Sequence, residues 1–160
     1  MQLFTAQLSA AMPDGWLAKE SITLLDPRGQ ANVIASSEPL DPSIDTARYA
    51  EIQSGLLEKE FPGYRQLSYS RTELFGGRYG YERRFEWTPS EGQRVTQIQA
   101  YYAENGRGYT MTATTTTLNV PLFDLMLRQI LGGVRINAVA DYPEPRTRAR
   151  RTQAAGLMSR

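Results

Sequence analysis

Glu82 and Glu86 are the side chains whose type and spacing come nearest to acid–base chemistry. On an extended strand they share a side, four residues apart, with about 13 Å between their Cα atoms. Paired carboxyls in glycosidases work at about 5–9.5 Å, and Arg84 stands between the two, placed to neutralise both. The chain has no histidine and no cysteine. That removes the commonest general base, the thiolate nucleophile and the two softer metal ligands. Serine and threonine are plentiful, but no G-x-S-x-G elbow accompanies them. No D-x-[DN]-x-[DN]-G loop offers a Ca²⁺ site either. The expectation is a protein with no enzymatic activity, no metal and no cofactor.

Binding chemistry is better represented. Along Arg94–Glu104, Ile98, Ala100 and Tyr102 fall on one side of a strand, and Val95, Gln97, Gln99 and Tyr101 on the other. The first set suits helix packing. The second mixes apolar bodies with amides that both donate and accept, which suits an apolar helix presented to a dry groove. Ile22 and Leu24 extend that wall if they face the same way. The plainer alternative puts the glutamines on a wet sheet face and Ile22 and Leu24 in the core. Tyr79, Tyr81, Phe85 and Trp87 form an aromatic ladder interrupted by Arg83, which serves either base stacking or a helix–sheet core. The charge distribution favours the core. Residues 138–160 hold five arginines (146, 148, 150, 151 and 160) against Asp141 and Glu144, so this segment carries +3 of a net +1 and the remaining 137 residues carry −2. An acidic body disfavours a nucleic-acid surface. The basic segment either attracts an anionic partner, in a manner that salt weakens, or simply solubilises the end of the chain.

The elements that must position these residues are legible as turns and periodicities. Met1–Leu8, Ser21–Leu25 and Asn32–Glu38 read as strands, separated by the turn residues Pro13-Asp14-Gly15 and Asp26-Pro27-Arg28-Gly29. Asp45 is placed to cap a helix whose apolar stripe is Tyr49, Ile52, Leu56 and Leu57, and Pro62-Gly63 stops it. Strands follow at Tyr64–Leu74, Tyr79–Trp87, Arg94–Glu104 and Gly108–Thr117, the last two joined by Asn105-Gly106, a type I′ hairpin signal. Asn119 or Thr117 caps a second helix that starts near Pro121, buries Phe123, Met126, Leu127, Ile130 and Leu131, and ends at Gly132-Gly133. Val134–Ile136 reads as a brief edge strand. The order gives an α+β fold, an antiparallel, curved β-sheet with two helices packed on one face. The domain is expected to span residues 1–137, with 138–160 a basic and mobile tail.

A length of 160 residues with 41% hydrophobic and 22% charged side chains suits one domain with a real core. The N-terminal segment lacks the basic start and apolar run of a secretory signal, and nothing approaches the ~18 apolar residues of a membrane span. A cytoplasmic protein with no integral membrane association is expected.

Four stretches, taken in order, carry a family resemblance: PDGW (13–16), EFPGY (60–64), LFGGRYGYERRFEW (74–87) and QAYYAENGRGYTMTAT (99–114). Together they resemble the DcrB-like domain family, over roughly residues 2–137. The resemblance implies a PsbP-like fold. Small cytoplasmic members of that family include the Eag-type chaperones of type VI secretion effectors. By that resemblance the chain would be a homodimeric chaperone or adaptor whose client bears apolar, transmembrane-like helices. Ile22, Leu24, Val95, Gln97, Gln99 and Tyr101 are its expected client-binding residues. The alternatives are a protein-interaction domain of another system and a protein led by its tail to an anionic partner.

Overall fold

A computed structural model describes residues 13–137. The Met1–Leu8 strand and the 138–160 segment of the sequence reading lie outside the described residues. Within them six strands form one antiparallel sheet: β1 (Glu20–Leu25), β2 (Ala31–Pro39), β3 (Arg65–Leu74), β4 (Arg78–Trp87), β5 (Val95–Glu104) and β6 (Arg107–Thr116). Helix α1 (Thr46–Glu60) joins β2 to β3, and α2 (Val120–Gly133) follows β6 through a single 3₁₀ turn at Thr117–Asn119. The spatial order is β1-β2-β6-β5-β4-β3. Every consecutive pair except β2 and β3 is a hairpin, and the crossover helix α1 spans the gap. The class is therefore α+β, as the turn chemistry required. At the β5–β6 hairpin both central residues have positive φ, Asn105 at 50° and Gly106 at 73°. That is the backbone of a type I′ turn, whose twist matches the flanking strands.

One expectation about the architecture is overturned: the helices lie on opposite faces of the sheet. Phe123, Leu127 and Leu131 of α2 pack on Val33, Ile98, Ala100, Met111 and Ala113. Tyr49 and Ala50 of α1 pack on Tyr101, with Tyr81 and Ala103 beside them. Residues alternate in direction along a strand, so Ala100 and its neighbour Tyr101 cannot face the same helix. Both faces of β5 carry large apolar groups, and each needs a cover. α1 comes close enough that a Cβ on Gly108 would stand 2.5 Å from the Tyr49 ring. Its first turn is fastened to β5 by Thr46, whose hydroxyl donates to the Ala103 carbonyl (3.0 Å) and accepts from the Ala103 N–H (3.1 Å).

Three smaller differences have local causes. The buried stripe of α1 is Tyr49, Ala50 and Leu57, while Ile52 and Leu56 are exposed. The helix is rotated by its polar partner below, because Ser54 and Arg83 hydrogen-bond between helix and sheet. In α2, Met126 faces out at 52% exposure. Val134–Ile136 forms no strand, because α2 delivers it across a sheet face rather than beside an edge, and both edges belong to β1 and β3.

Candidate functional site

Among the described residues, the α2 face of the sheet is covered only in its middle. Beyond the end of α2, residues 134–137 run over the sheet toward β1 and leave an open groove of about 590 Å³. This volume lies within the ~300–1,000 Å³ of clefts that take ligands. Ala35 and Tyr109 form its floor, Ile22 one wall, and Phe75, Val134 and Ile136 the other. The register explains the grouping. Ile22 pairs with Ala35, and Ala35 in turn with Met111, so all three share the α2 face. Tyr109 belongs to the same row as Tyr102, and their rings stack at 6.2 Å. Phe75 reaches this cluster because the β3–β4 turn holds it at a positive φ of 49°, with centroids 6.1 Å from both tyrosines.

Polar groups gather at one end. Arg107 donates from Nη2 to the Ser37 hydroxyl (2.9 Å), and Ser37 donates to Glu20 (3.4 Å). Lys19 pairs with Glu38 at 3.4 Å. Arg135 closes the C-terminus of α2 by donating to the carbonyls of Gly132 (2.6 Å) and Val134 (3.0 Å).

The six residues expected to bind together are divided between the two faces. Ile22 and Leu24 stand on the α2 face, at 39% and 36% exposure. Val95, Gln97, Gln99 and Tyr101 stand on the α1 face. Tyr101 is only 1% exposed beneath Tyr49, and burial pushes its phenol well above the ordinary range. It is core, not groove. Its hydroxyl donates to Gln99. Gln97 accepts from the Trp87 indole (3.1 Å) and donates to Thr114 (2.9 Å). Both amides are thus engaged within the sheet surface. Arg107, Tyr109 and Phe75 line the groove and were not expected there. The strand alternation of GYTMTAT put Tyr109 beside Met111, but only the fold shows which element crosses above them.

The carboxylate pair resolves into ion pairs rather than an acid–base site. Glu86 meets Arg65 (2.8 Å) and Arg94 (2.9 Å), and Glu82 meets Arg128 at 3.5 Å. Arg84, expected to bridge the two glutamates, instead pairs with Asp124 of α2 at 2.8 Å. The aromatic ladder is divided as well. Phe85 is fully buried against Phe61 and Tyr64, Trp87 meets Phe61 edge-on at 4.5 Å, and Tyr79 is 58% exposed beneath Arg71. Arg83 is buried among neutral partners: Ser54, Tyr64, Gln66 and the ring of Tyr69. Among the described residues no group of three or more Asp or Glu is arranged to hold a metal ion, and no helix is long and apolar enough to cross a membrane.

A family model described as DcrB matches residues 9–131. No curated protein matches the sequence. Among solved structures, PA94 from Pseudomonas aeruginosa, a candidate regulator of unknown function, is 19% identical with a TM-score of 0.64; the match covers 79% of this chain and 90% of that one. LpqN of Mycobacterium tuberculosis, involved in cell envelope biogenesis, is 18% identical with a TM-score of 0.53, over 67% of this chain and 62% of LpqN. The cyanobacterial PsbP protein (CyanoP) of Synechocystis sp. PCC 6803 is 6% identical with a TM-score of 0.51, over 78% and 96%. At these identities the likeness is one of fold, and that fold is PsbP-like.

Proposed function

The chain belongs to the DcrB family, and from that premise we propose that it is a non-enzymatic chaperone or adaptor that holds an apolar helical segment of a client protein. The observation that carries this reading is the groove: about 590 Å³, open, walled by Ile22, Phe75, Val134 and Ile136, and continued along β1 by the exposed Leu24. Ile22 and Leu24 are left exposed and Val134 and Ile136 partly so, and an apolar segment that displaces water from them lowers the free energy. The absence of histidine and cysteine from the sequence supports a binding role over a catalytic one. In its finer form, drawn from the resemblance to Eag-type chaperones, the client is a type VI secretion effector kept soluble in the cytoplasm before export. The working unit in this reading is a homodimer. Leu122, Leu125 and Met126 form a second apolar stripe on the outer side of α2, extended by Leu118 of the 3₁₀ turn before it, each more than half exposed. Within α2 the spacing of Leu122, Leu125 and Met126 keeps them on one side of the helix, as a self-complementary two-fold contact would use them.

The client site is tested with a labelled apolar peptide of about twenty residues, long enough for a membrane-type helix. The parent protein should bind it with a negative heat-capacity change, and Ile22→Asp or Ala35→Trp should each weaken binding about tenfold or more. Circular dichroism controls for folding. The double change Gln97→Glu with Gln99→Glu lies on the other face and should leave affinity unchanged. A parent that binds no such peptide, or groove variants that bind as well as the parent, would end this assignment.

A further inference from the structure

Resting on the groove reading above, we infer that the segment held there carries an acidic side chain beside its apolar run, and that Arg107 receives it. Arg107 opens β6 on the α2 face, at the polar end of the groove. Its partner across the hairpin is Glu104, but Glu104 is taken by Arg78 at 3.2 Å. Within the described residues Arg107 makes no ion pair. Its one side-chain hydrogen bond goes to a neutral hydroxyl, Ser37. The other charged groups facing the groove are Lys19, Glu20 and Arg135. Lys19 is matched by Glu38, Glu20 accepts from Ser37, and Arg135 serves the carbonyls at the end of α2. Among the described residues the lining therefore carries three cations against one carboxylate. Arg107 and Arg135 both lack an anionic partner there, but Arg135 is committed to the carbonyls that end α2, which leaves Arg107 to receive one.

An apolar occupant would strip water from this guanidinium. A buried charge without a partner opposes binding, whereas a carboxylate meeting two N–H groups of an arginine restores what water supplied. The same contact fixes the direction in which the segment lies, since Arg107 stands at one end of the groove only. Charge complementarity thus points to a protein segment with Asp or Glu at one end of its apolar run.

The test uses three peptides that share one apolar run and differ at a single terminal position, Glu, Gln or Lys. They are titrated into the parent, Arg107→Gln, Arg107→Lys and Arg107→Glu proteins at low and moderate salt. The parent should prefer the Glu peptide to the Gln peptide by about tenfold, the preference shrinking as salt rises. Arg107→Lys should retain it, Arg107→Gln should lose it, and Arg107→Glu should prefer Lys. Equal binding of the Glu and Gln peptides by the parent overturns the role of Arg107 and leaves the groove reading intact. Failure of all three peptides to bind overturns both. A preference that survives in Arg107→Gln places the anion elsewhere, and tighter binding of dodecanoate than of the Glu peptide reassigns the site to a fatty acid.

Discussion

At Glu86 two guanidiniums converge on one carboxylate oxygen, Arg65 at 2.8 Å and Arg94 at 2.9 Å. These hydrogen bonds, Arg65's first, hold the Glu86 carboxyl below its ordinary value of 4.5. A depressed value means that the folded state favours the charged form, so the unfolded chain takes up this proton first as pH falls. The stabilisation is complete above the unfolded value and is lost as pH drops through the folded one. Arg65 is largely exposed, which screens the interaction, so Glu86→Gln should cost about 1 kcal/mol at neutral pH. Urea unfolding of parent and variant should show that gap narrowing steadily below pH 4.5. A gap that stays constant or widens with acid would mean that the two arginines do not act through the charge of Glu86. Tyr49 shows the opposite direction for a related reason. Burial first, and then its hydrogen bond to Glu38, keep its phenol protonated far above the ordinary range, so it acts as a fixed donor under α1.

Among the elements, the two helices begin in different ways. Asp45 has extended backbone and its side chain accepts from the Arg48 N–H at 2.8 Å, satisfying one of the donors that a helix start leaves open. Asn119, one of two residues expected to cap α2, has helical backbone and makes no capping bond. The other, Thr117, turns its hydroxyl to Thr96 at 3.0 Å. The 3₁₀ turn at Thr117–Asn119 leads directly into α2, and Pro121, near its start, brings no N–H that needs a partner. Asp45→Ala should therefore cost about 1 kcal/mol in urea unfolding, while Asn119→Ala should cost less than a few tenths. Equal losses in the two variants would contradict this distinction.

For the whole molecule, the outer stripe of α2 sets the expected assembly. A helix apolar on its inner side through Phe123, Leu127 and Leu131, and again on its outer side, has a face that none of the described residues covers. If that face meets its copy, Leu122→Glu with Leu125→Glu should convert a dimer to a monomer in sedimentation equilibrium. The far-ultraviolet spectrum should not change, because both positions lie outside the core. A parent that remains monomeric across a wide concentration series would refute the homodimer. The charged side of α2 takes no part in this contact: Asp124 and Arg128 are turned to Arg84 and Glu82 on β4.

Turn residues and alternation were enough to read the six described strands, the two helices and the type I′ hairpin, because glycine, proline, asparagine and side-chain period act within a few residues of chain. They also offered a strand at Val134–Ile136 that does not form. The same alternation correctly separated Ile98, Ala100 and Tyr102 from Val95, Gln97, Gln99 and Tyr101. What it did not contain was the destination of each set. A strand presents two faces, and its local pattern does not say which helix, joined by a long crossover, will cover which. Tyr101 therefore passed for a groove residue although α1 buries it, and Ile22 and Leu24 were grouped with glutamines that the register places on the other side. Arg107 and Phe75 are turn-flanking residues with no periodic signal. They reach the groove through tertiary structure alone, because the strand order sets β2 beside β6 and the end of α2 crosses above them.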